Sequence, residues 1–412
     1  MENGCGRKGD WLYCNYQQTG EGKYMLKRFT VKNYKNFKDS ICIDFEKIAG
    51  YQYNKDCLTD DLLSKILIYG RNATGKTNLG RALLDIRFML IQNFFYMNHR
   101  EGVFLNADST EDFATFSYAF QFDRKELIYQ YTRFSDFELR DEKLMIDGAL
   151  IFQCDFAKKS YDFCNLEGIY AETANVERYL EALQKRREED EMAEFILPFL
   201  RWLINNIALE NDSILLRLTD YVRKMQMITA NNGNAMTFYL SRVQDSFFKS
   251  LEKEKNLDDL EEFLNQMGVA CKLKLKEMPD GQKELYFAHK KLVPFFENIS
   301  SGTLALVNLY RQIVSKGWDI SLLYLDEFDA FYHYEMAKNV VQYFKKRYPR
   351  CQLIMTSHNT NLMTNRQMRP DCLFILSTSG KLTSLCDATS RELREGHNLE
   401  KMYISGEFAS YE

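Results

Sequence analysis

LIYGRNATGKTNLG, Leu67 to Gly80, passes from apolar residues through two glycines and a Lys-Thr pair into a second apolar series. KILIY before the loop reads as a buried strand, and LGRALLDIRFMLIQNFFYM after it reads as a helix. Strand, glycine-rich loop and helix in that order bring successive backbone N–H groups to the positive end of a helix, a natural anion site. The spacing G-x-x-x-x-G-K-[ST] fits a polyphosphate held there. On this reading Gly70 and Gly75 let the backbone turn tightly, and the loop through Arg71, Asn72, Ala73 and Thr74 to Asn78 wraps the phosphates. Lys76 reaches the β- and γ-phosphates and the Thr77 hydroxyl holds Mg²⁺. An ordinary glycine-rich loop is the bland alternative, and the flanking strand and helix count against it.

With 412 residues, 45% of them hydrophobic, the chain has room for about two or three domains and can fill a sizeable core. Lys and Arg number 54 against 58 Asp and Glu, a formal charge of -4, so no global basic field advertises nucleic acid. The N-terminus lacks a signal pattern and no apolar run approaches a membrane span, which makes a cytoplasmic protein the simplest reading. The ten cysteines are scattered without a C-x-x-C pair, and the five histidines are equally dispersed. Reduced, packed thiols are the expectation, and a metal site made of side chains alone is disfavoured.

Residues 1–23 are polar and read as a flexible leader, and 24–169 as the first half of an α/β domain. In that half YMLKRFTVKNY and ICIDF pair as strands, ATFSYAFQF and LIYQYTRF form a hairpin around Asp123 to Glu126, and LMIDGALIF adds another at Asp147-Gly148. The texture turns helical over 170–268, including DSILLRLTDYVRKMQMI and DSFFKSLEKEKNLDDLEEFLNQM, and this reads as a helical insertion serving as a lid or interaction subdomain. It is too short for a long coiled-coil arm. Residues 170–267 carry a balance of -6, which leaves +2 for the rest, so the insertion favours a protein partner over DNA. The KRREEDE run within it reads as a solvated helix face. Residues 269–412 then read as the second half: strands CKLKLKEM and ELYFAHK across Pro279-Asp280-Gly281, SLLYLDEF, a helix from Tyr334 to Arg347, QLIMTS, CLFILST and KLTSL.

Three further stretches choose among nucleotide-binding proteins. SLLYLDEFDAF ends a strand in Asp326-Glu327, where the first acid can fix Mg²⁺ and the second can deprotonate an attacking water. QLIMTSHN ends another in Ser357-His358, where a histidine can meet a γ-phosphate oxygen. ENISSGTLALVNLY opens an apolar helix with Ser300-Ser301-Gly302-Thr303, a second anion-binding helix mouth. One phosphate cannot occupy two mouths of one subunit without distortion. Two subunits head to tail solve this, each offering its second mouth to the other's nucleotide.

With these motifs in place the sequence resembles the ABC-type ATPase heads of the SMC and RecF-like superfamily. It is more similar to the prokaryotic AAA15/AAA21 grouping found in OLD-like, Septu-like and PARIS-like anti-phage systems. GRNATGKT resembles Walker A, SSGT the signature, LLYLDEFDAFYH the Walker B with its D-loop, TSHN the switch histidine, and RELREGHNLEKMYISGEF the ending of that grouping. The resemblance implies an α/β head with a mixed core sheet, an antiparallel β-subdomain and a helical insertion, acting as an ATP-dependent dimer. Carried over by motif, residues 70–78 bind phosphates, Thr77 and Asp326 hold Mg²⁺, Glu327 is the general base and His358 contacts the γ-phosphate. Ser301 and Gly302 act in trans, and Asp329 belongs to the D-loop. The signature has Ser-Gly-Thr in place of Leu-Ser-Gly-Gly. Gln121 and Gln130 are the candidates for the Q-loop glutamine, and His333 aligns with a histidine of the grouping without its following proline.

The resemblance further implies a sensor or scaffold subunit of a bacterial defence system. The chain stops too soon after its Leu-Glu-Lys-Met-Tyr segment for a nuclease domain of its own, so the expected effector is a separate protein, with a Toprim-like nuclease the candidate. An oligomer beyond the dimer stays open. Two other readings stand beside this one: a RecF-like repair ATPase binding DNA directly, and a regulatory protein that binds nucleotide with little turnover.

Overall fold

The computed structural model describes residues 24–91, 103–189, 196–229, 247–252, 256–279, 281–314 and 319–412. KILIY forms the strand Lys65–Tyr69, buried at every position, and so are Leu322–Asp326 and Gln352–Ser357. A strand covered on both faces has no solvent side, which is why these segments read as nearly continuous apolar runs. The Gln352–Ser357 strand lies parallel between the other two. Leu373–Leu376 joins in parallel on the far side of Lys65–Tyr69, and Leu382–Ser384 closes that edge antiparallel. Gln226–Thr229 forms the opposite edge, parallel to Leu322–Asp326. The result is a mixed six-stranded sheet. Its five parallel strands end along one rim, the place where open α/β sheets gather ligands.

That edge strand corrects the reading of 170–268. The segment does hold the helices Val176–Glu189, Phe199–Asn206, Ile214–Arg223 and Asn256–Gln266. Yet it is not purely helical, because Gln226–Thr229 within it belongs to the core sheet. DSILLRLTDYVRKMQMI, read as one helix, is a helix to Arg223 and a strand from Gln226, with the Lys224 N–H closing the last turn onto Asp220 and Tyr221 carbonyls. Met225, Met227 and Ile228 prolong an apolar series too short for periodicity to assign. The helix read from Leu79 starts at Lys76, runs to Leu83 and resumes as Asp85–Leu90. The leader with Cys5 and Cys14, the end of LGRALLDIRFMLIQNFFYM, Asp280 and part of KRREEDE lie outside the described residues.

A second, antiparallel sheet has seven strands. Its order is Ser160–Asp162, Ala149–Asp155, Leu139–Ile146, Lys125–Arg133, Ala114–Phe122, Tyr24–Lys32, Ile41–Asp44. The hairpins turn where expected, with left-handed φ at Asp123 (55°), and at Asp147 (49°) and Gly148 (80°). Rings on alternate positions pack across the strands, Phe29 on Tyr118 at 4.9 Å and Phe116 stacked on Tyr131 at 5.1 Å. Pairs of this kind add roughly 0.5–1.5 kcal/mol each beyond the apolar area they bury.

Two buried polar links tie this sheet to the core. The Gln352 amide imitates a strand partner: its Oε1 accepts the Leu26 N–H at 2.8 Å and its Nε2 donates to the Leu26 carbonyl at 2.8 Å. Arg133 meets Asp85, in the short helix Asp85–Leu90 that follows Lys76–Leu83, at 2.7 Å. A three-stranded sheet, Leu273–Glu277, Lys283–Ala288 and Leu292–Pro294, precedes the helix Ser301–Val314. The eight described cysteines are free. Among the described residues no helix is long and apolar enough to cross a membrane.

Candidate functional site

The rim of the core sheet assembles most of the residues singled out by sequence. Lys65–Tyr69 delivers the loop 70–75, and its helix opens at Lys76. Gly75 has φ 100°, and a side chain there would also meet Asn36, so only glycine fits. Gly70 serves differently from the expected tight turn. It has no left-handed φ, but a Cβ would come within 2.8 Å of the Thr74 hydroxyl and 2.9 Å of the Leu376 carbonyl. Ala73 sits in the left-handed region at φ 65°. Asn36 clasps the loop from outside, donating to the Ala73 carbonyl at 3.3 Å and accepting from Asn78 at 2.5 Å.

Lys76 is folded into its own loop, its Nζ donating to the Gly70 and Arg71 carbonyls at 2.8 and 3.0 Å. Burial lowers its pKa, while the nearby Glu327 and Asp326 carboxylates oppose that shift. Thr77, in the first turn of the helix Lys76–Leu83, donates to Asp326 Oδ2 at 2.7 Å, at the end of a strand far away in sequence. A hydroxyl and a carboxylate converging beside the 70–75 loop are hard oxygen donors. They fit Mg²⁺, which takes few protein ligands and completes its shell with phosphate and water.

Glu327 follows directly. Its φ is 48°, a left-handed conformation that a non-glycine residue adopts at a cost of about 1 kcal/mol or more. Its Oε1 lies 3.3 Å from His358 Nε2. Both side chains are more than a third exposed, so the pair faces the rim rather than the core. Asp329 accepts from the Ser357 hydroxyl at 2.7 Å, and burial raises its carboxyl above the usual range.

The signature residues lie on a different helix mouth. Ser301–Val314 is capped by Ser300, whose Oγ accepts the Thr303 N–H at 3.1 Å. Gly302 packs so closely on the chain after Asp326 that a Cβ would sit 3.0 Å from the Phe331 carbonyl. Ser301 is exposed, and no hydrogen bond among the described residues joins it or Gly302 to the P-loop. Within one chain the structure thus brings Lys76, Thr77, Asp326, Glu327, Asp329 and His358 together and leaves Ser301 outside.

Sequence reasoning missed several neighbours. Thr356 bonds both Asp326 and the Glu327 backbone. Thr229 ends the edge strand beside Asp326, and Asn308 and Gln312 line a small cleft with that aspartate. A hydroxyl at a buried strand tip, in MTSHN, was the available signal for Thr356. Neither glutamine candidate reaches the rim. Gln121 hydrogen-bonds its own hairpin turn at Asp123 and Lys125, and Gln130 lies mid-strand in the seven-stranded sheet. His333 is an exposed helix N-cap that makes no side-chain capping bond. A larger cleft of about 350 Å³ lies elsewhere, between Asn256–Gln266 and Tyr334–Arg347, and shares none of these residues.

A family model described as "AAA domain, putative AbiEii toxin, Type IV TA system" matches residues 66–364, from the P-loop strand past His358. The chain belongs to this AAA-domain family. No curated protein matches the sequence. Solved structures with some likeness to this AAA-domain protein include the SMC head domain from Thermotoga maritima. It is 11% identical with a TM-score of 0.41, over 87% of this chain and 98% of that one. A Smc head with an extended coiled coil, bound to the C-terminal domain of ScpA derived from Pyrococcus furiosus, is 16% identical with a TM-score of 0.44, over 94% and 100%. A SmcHead bound to the C-winged helix domain of ScpA is 16% identical with a TM-score of 0.45, over 88% and 97%.

Proposed function

We propose that this AAA-domain protein binds ATP and hydrolyses it to ADP and phosphate, as a homodimer with nucleotide between the subunits. The observation that carries this is the convergence of Lys76, the Thr77–Asp326 pair and the Glu327–His358 pair at one sheet rim. Backbone N–H groups of residues 70–78 and the Lys76 ammonium hold the phosphates. Thr77 and Asp326 would hold Mg²⁺, which when bound would supply charge neutralisation to the phosphates. Glu327 takes a proton from water as the water oxygen bonds to the γ-phosphorus and the bond to the β,γ-bridging oxygen breaks. His358 orients that water's surroundings and meets a γ-phosphate oxygen. Exposed Ser301 and the Gly302 helix mouth close over the partner's nucleotide, with Asp329 beside them. The Mg²⁺ and nucleotide roles are parts of this same reading, as is a head in two halves on either side of 170–268, with Gln226–Thr229 counted in the core sheet.

Beyond the chemistry, we assign the protein the role of a cytoplasmic sensor or scaffold that controls a separate effector, a Toprim-like nuclease being the candidate. That role follows the resemblance alone, and the acidic balance of 170–267 favours a protein partner over direct DNA contact.

Two variants test the chemistry. Lys76→Ala abolishes tight ATP binding in equilibrium titration. Glu327→Gln keeps binding, loses hydrolysis and accumulates a dimer by light scattering with ATP. Undiminished hydrolysis in Glu327→Gln overturns the assignment of the base, and a persistent monomer in that variant overturns the sandwich. DNA affinity across a salt series decides the alternative: a steep ATP-dependent slope means direct DNA binding.

A further inference from the structure

The hydroxyl of Thr356 is placed where two of the acidic residues can be set at once. Thr356 is fully buried on the Gln352–Ser357 strand. Its Oγ1 donates to Asp326 Oδ1 at 2.9 Å and accepts the Glu327 N–H at 2.8 Å. The second Asp326 oxygen is taken by Thr77, so the carboxylate is held from both sides. Ser357, pointing to the opposite face as strand alternation requires, donates to Asp329. The Phe328 N–H bonds the Thr356 carbonyl at 3.2 Å, completing a zipper between the two strand tips.

An all-apolar strand would place Val or Ile at such a position. Valine fills the same volume as threonine and makes neither bond. What the hydroxyl adds is a fixed link to a backbone that is itself unfavourable: Glu327 at φ 48° persists only where its surroundings over-determine it.

We propose that Thr356 is a positioning residue for nucleotide hydrolysis, its hydroxyl locking the Asp326 carboxylate and the Glu327 backbone into one relative arrangement. This rests on the ATPase reading above. Thr356 acts through those two residues, and a lost hydroxyl therefore affects turnover and cation use more than nucleotide capture.

The test is a kcat and KM comparison of Thr356→Val and Thr356→Ser with the wild type, together with an Mg²⁺ titration. Thr356→Val lowers kcat by about ten- to a hundredfold, the consequence of two unmade buried bonds, with KM for ATP within about threefold. It also needs more Mg²⁺ for half-maximal rate. Thr356→Ser, which keeps the hydroxyl, returns kcat to within about threefold of the wild type. Wild-type kcat in Thr356→Val, or a Thr356→Ser as impaired as the valine variant, overturns the proposal, the latter because the methyl packing would then be what matters. Should Thr356→Val fail to fold, Thr356→Cys, whose thiol donates weakly, replaces it with the same expectation. If wild-type protein binds ATP but turns none over, the ATPase reading fails by itself. Thr356 is then judged by the Mg²⁺ dependence of ATP binding, weakened in Thr356→Val or, against the proposal, unchanged.

Discussion

Asp85 and Asp326 are both buried, at 0% and 4% exposure, and they are satisfied in opposite ways. Asp85 receives Arg133 through both oxygens, at 2.8 and 2.7 Å, and the Tyr131 hydroxyl at 2.8 Å. Its countercharge is built into the fold, sandwiched against the Phe88 and Phe104 rings. Asp326 receives two neutral hydroxyls, from Thr77 and Thr356, and among the described residues it forms no ion pair. Hydroxyls orient a carboxylate without neutralising it. On the proposed reading a carboxylate oriented in this way, with no cation of the fold paired to it, is placed to meet a metal ion, whereas Asp85 is already matched by Arg133 in joining a helix to a sheet.

The widest separation between the two is expected on substitution. Asp85→Ala strands a buried guanidinium and costs about 3–5 kcal/mol of stability by denaturant unfolding. Asp326→Asn stays within about 1 kcal/mol of the wild type. Its loss appears in the Mg²⁺-dependent part of ATP binding and in hydrolysis, both abolished. Equal destabilisation by the two variants would break the contrast and make Asp326 a structural residue.

Glu142 sharpens the comparison, because its partners are as neutral as those of Asp326 but lie far from any phosphate loop. The Tyr129 hydroxyl donates to it at 2.8 Å, and the Phe199 N–H, opening a helix, bonds its other oxygen. Burial pushes its carboxyl up to about 7 from 4.5, with those hydrogen bonds opposing. The folded state therefore binds the proton more tightly than the unfolded chain does. The stabilisation is complete below pH 4.5 and is lost as pH rises through about 7, amounting to about 3 kcal/mol across that window. Glu142→Gln flattens this part of the stability profile between pH 5 and 8. An unaltered slope would mean that Glu142 is ionised in the folded protein at neutral pH.

The same contrast explains what could be read in the sequence. The rim motifs were legible because each is local: Gly75 and Lys76 are adjacent, and Asp326-Glu327 and Ser357-His358 each end one apolar strand. The helix Tyr334–Arg347 and the hairpin turns, one of them at Asp147-Gly148, were legible for the same reason, their patterns each lying within a short stretch of chain. Asp85–Arg133, Gln352–Leu26 and Thr356–Asp326 were not, since each joins segments 30 to 326 residues apart and no local pattern records it. The strand Gln226–Thr229 was missed differently. Four residues carry too little periodicity to stand out from the helix before them, and only the neighbouring Leu322–Asp326 strand makes them a strand.

The smallest effect is expected at Arg71, a residue of the 70–75 loop whose side chain and backbone do separate things. The guanidinium is 68% exposed and pairs with the Glu412 carboxylate at 2.6 Å. The Arg71 carbonyl meanwhile accepts from Lys76 Nζ and from the Thr74 hydroxyl. Exposed pairs of this kind contribute about 0–1 kcal/mol and weaken with salt, unlike the enclosed Asp85 pair. Arg71→Ala therefore shifts stability by less than about 1 kcal/mol, and the difference narrows as salt rises from about 0.05 to 0.5 M. ATP affinity changes by less than about threefold, because the loop shape depends on a carbonyl that alanine also carries. A tenfold or greater loss of affinity would show that the guanidinium leaves Glu412 for the phosphates, and would move Arg71 from the structural side of the comparison to the side of Asp326.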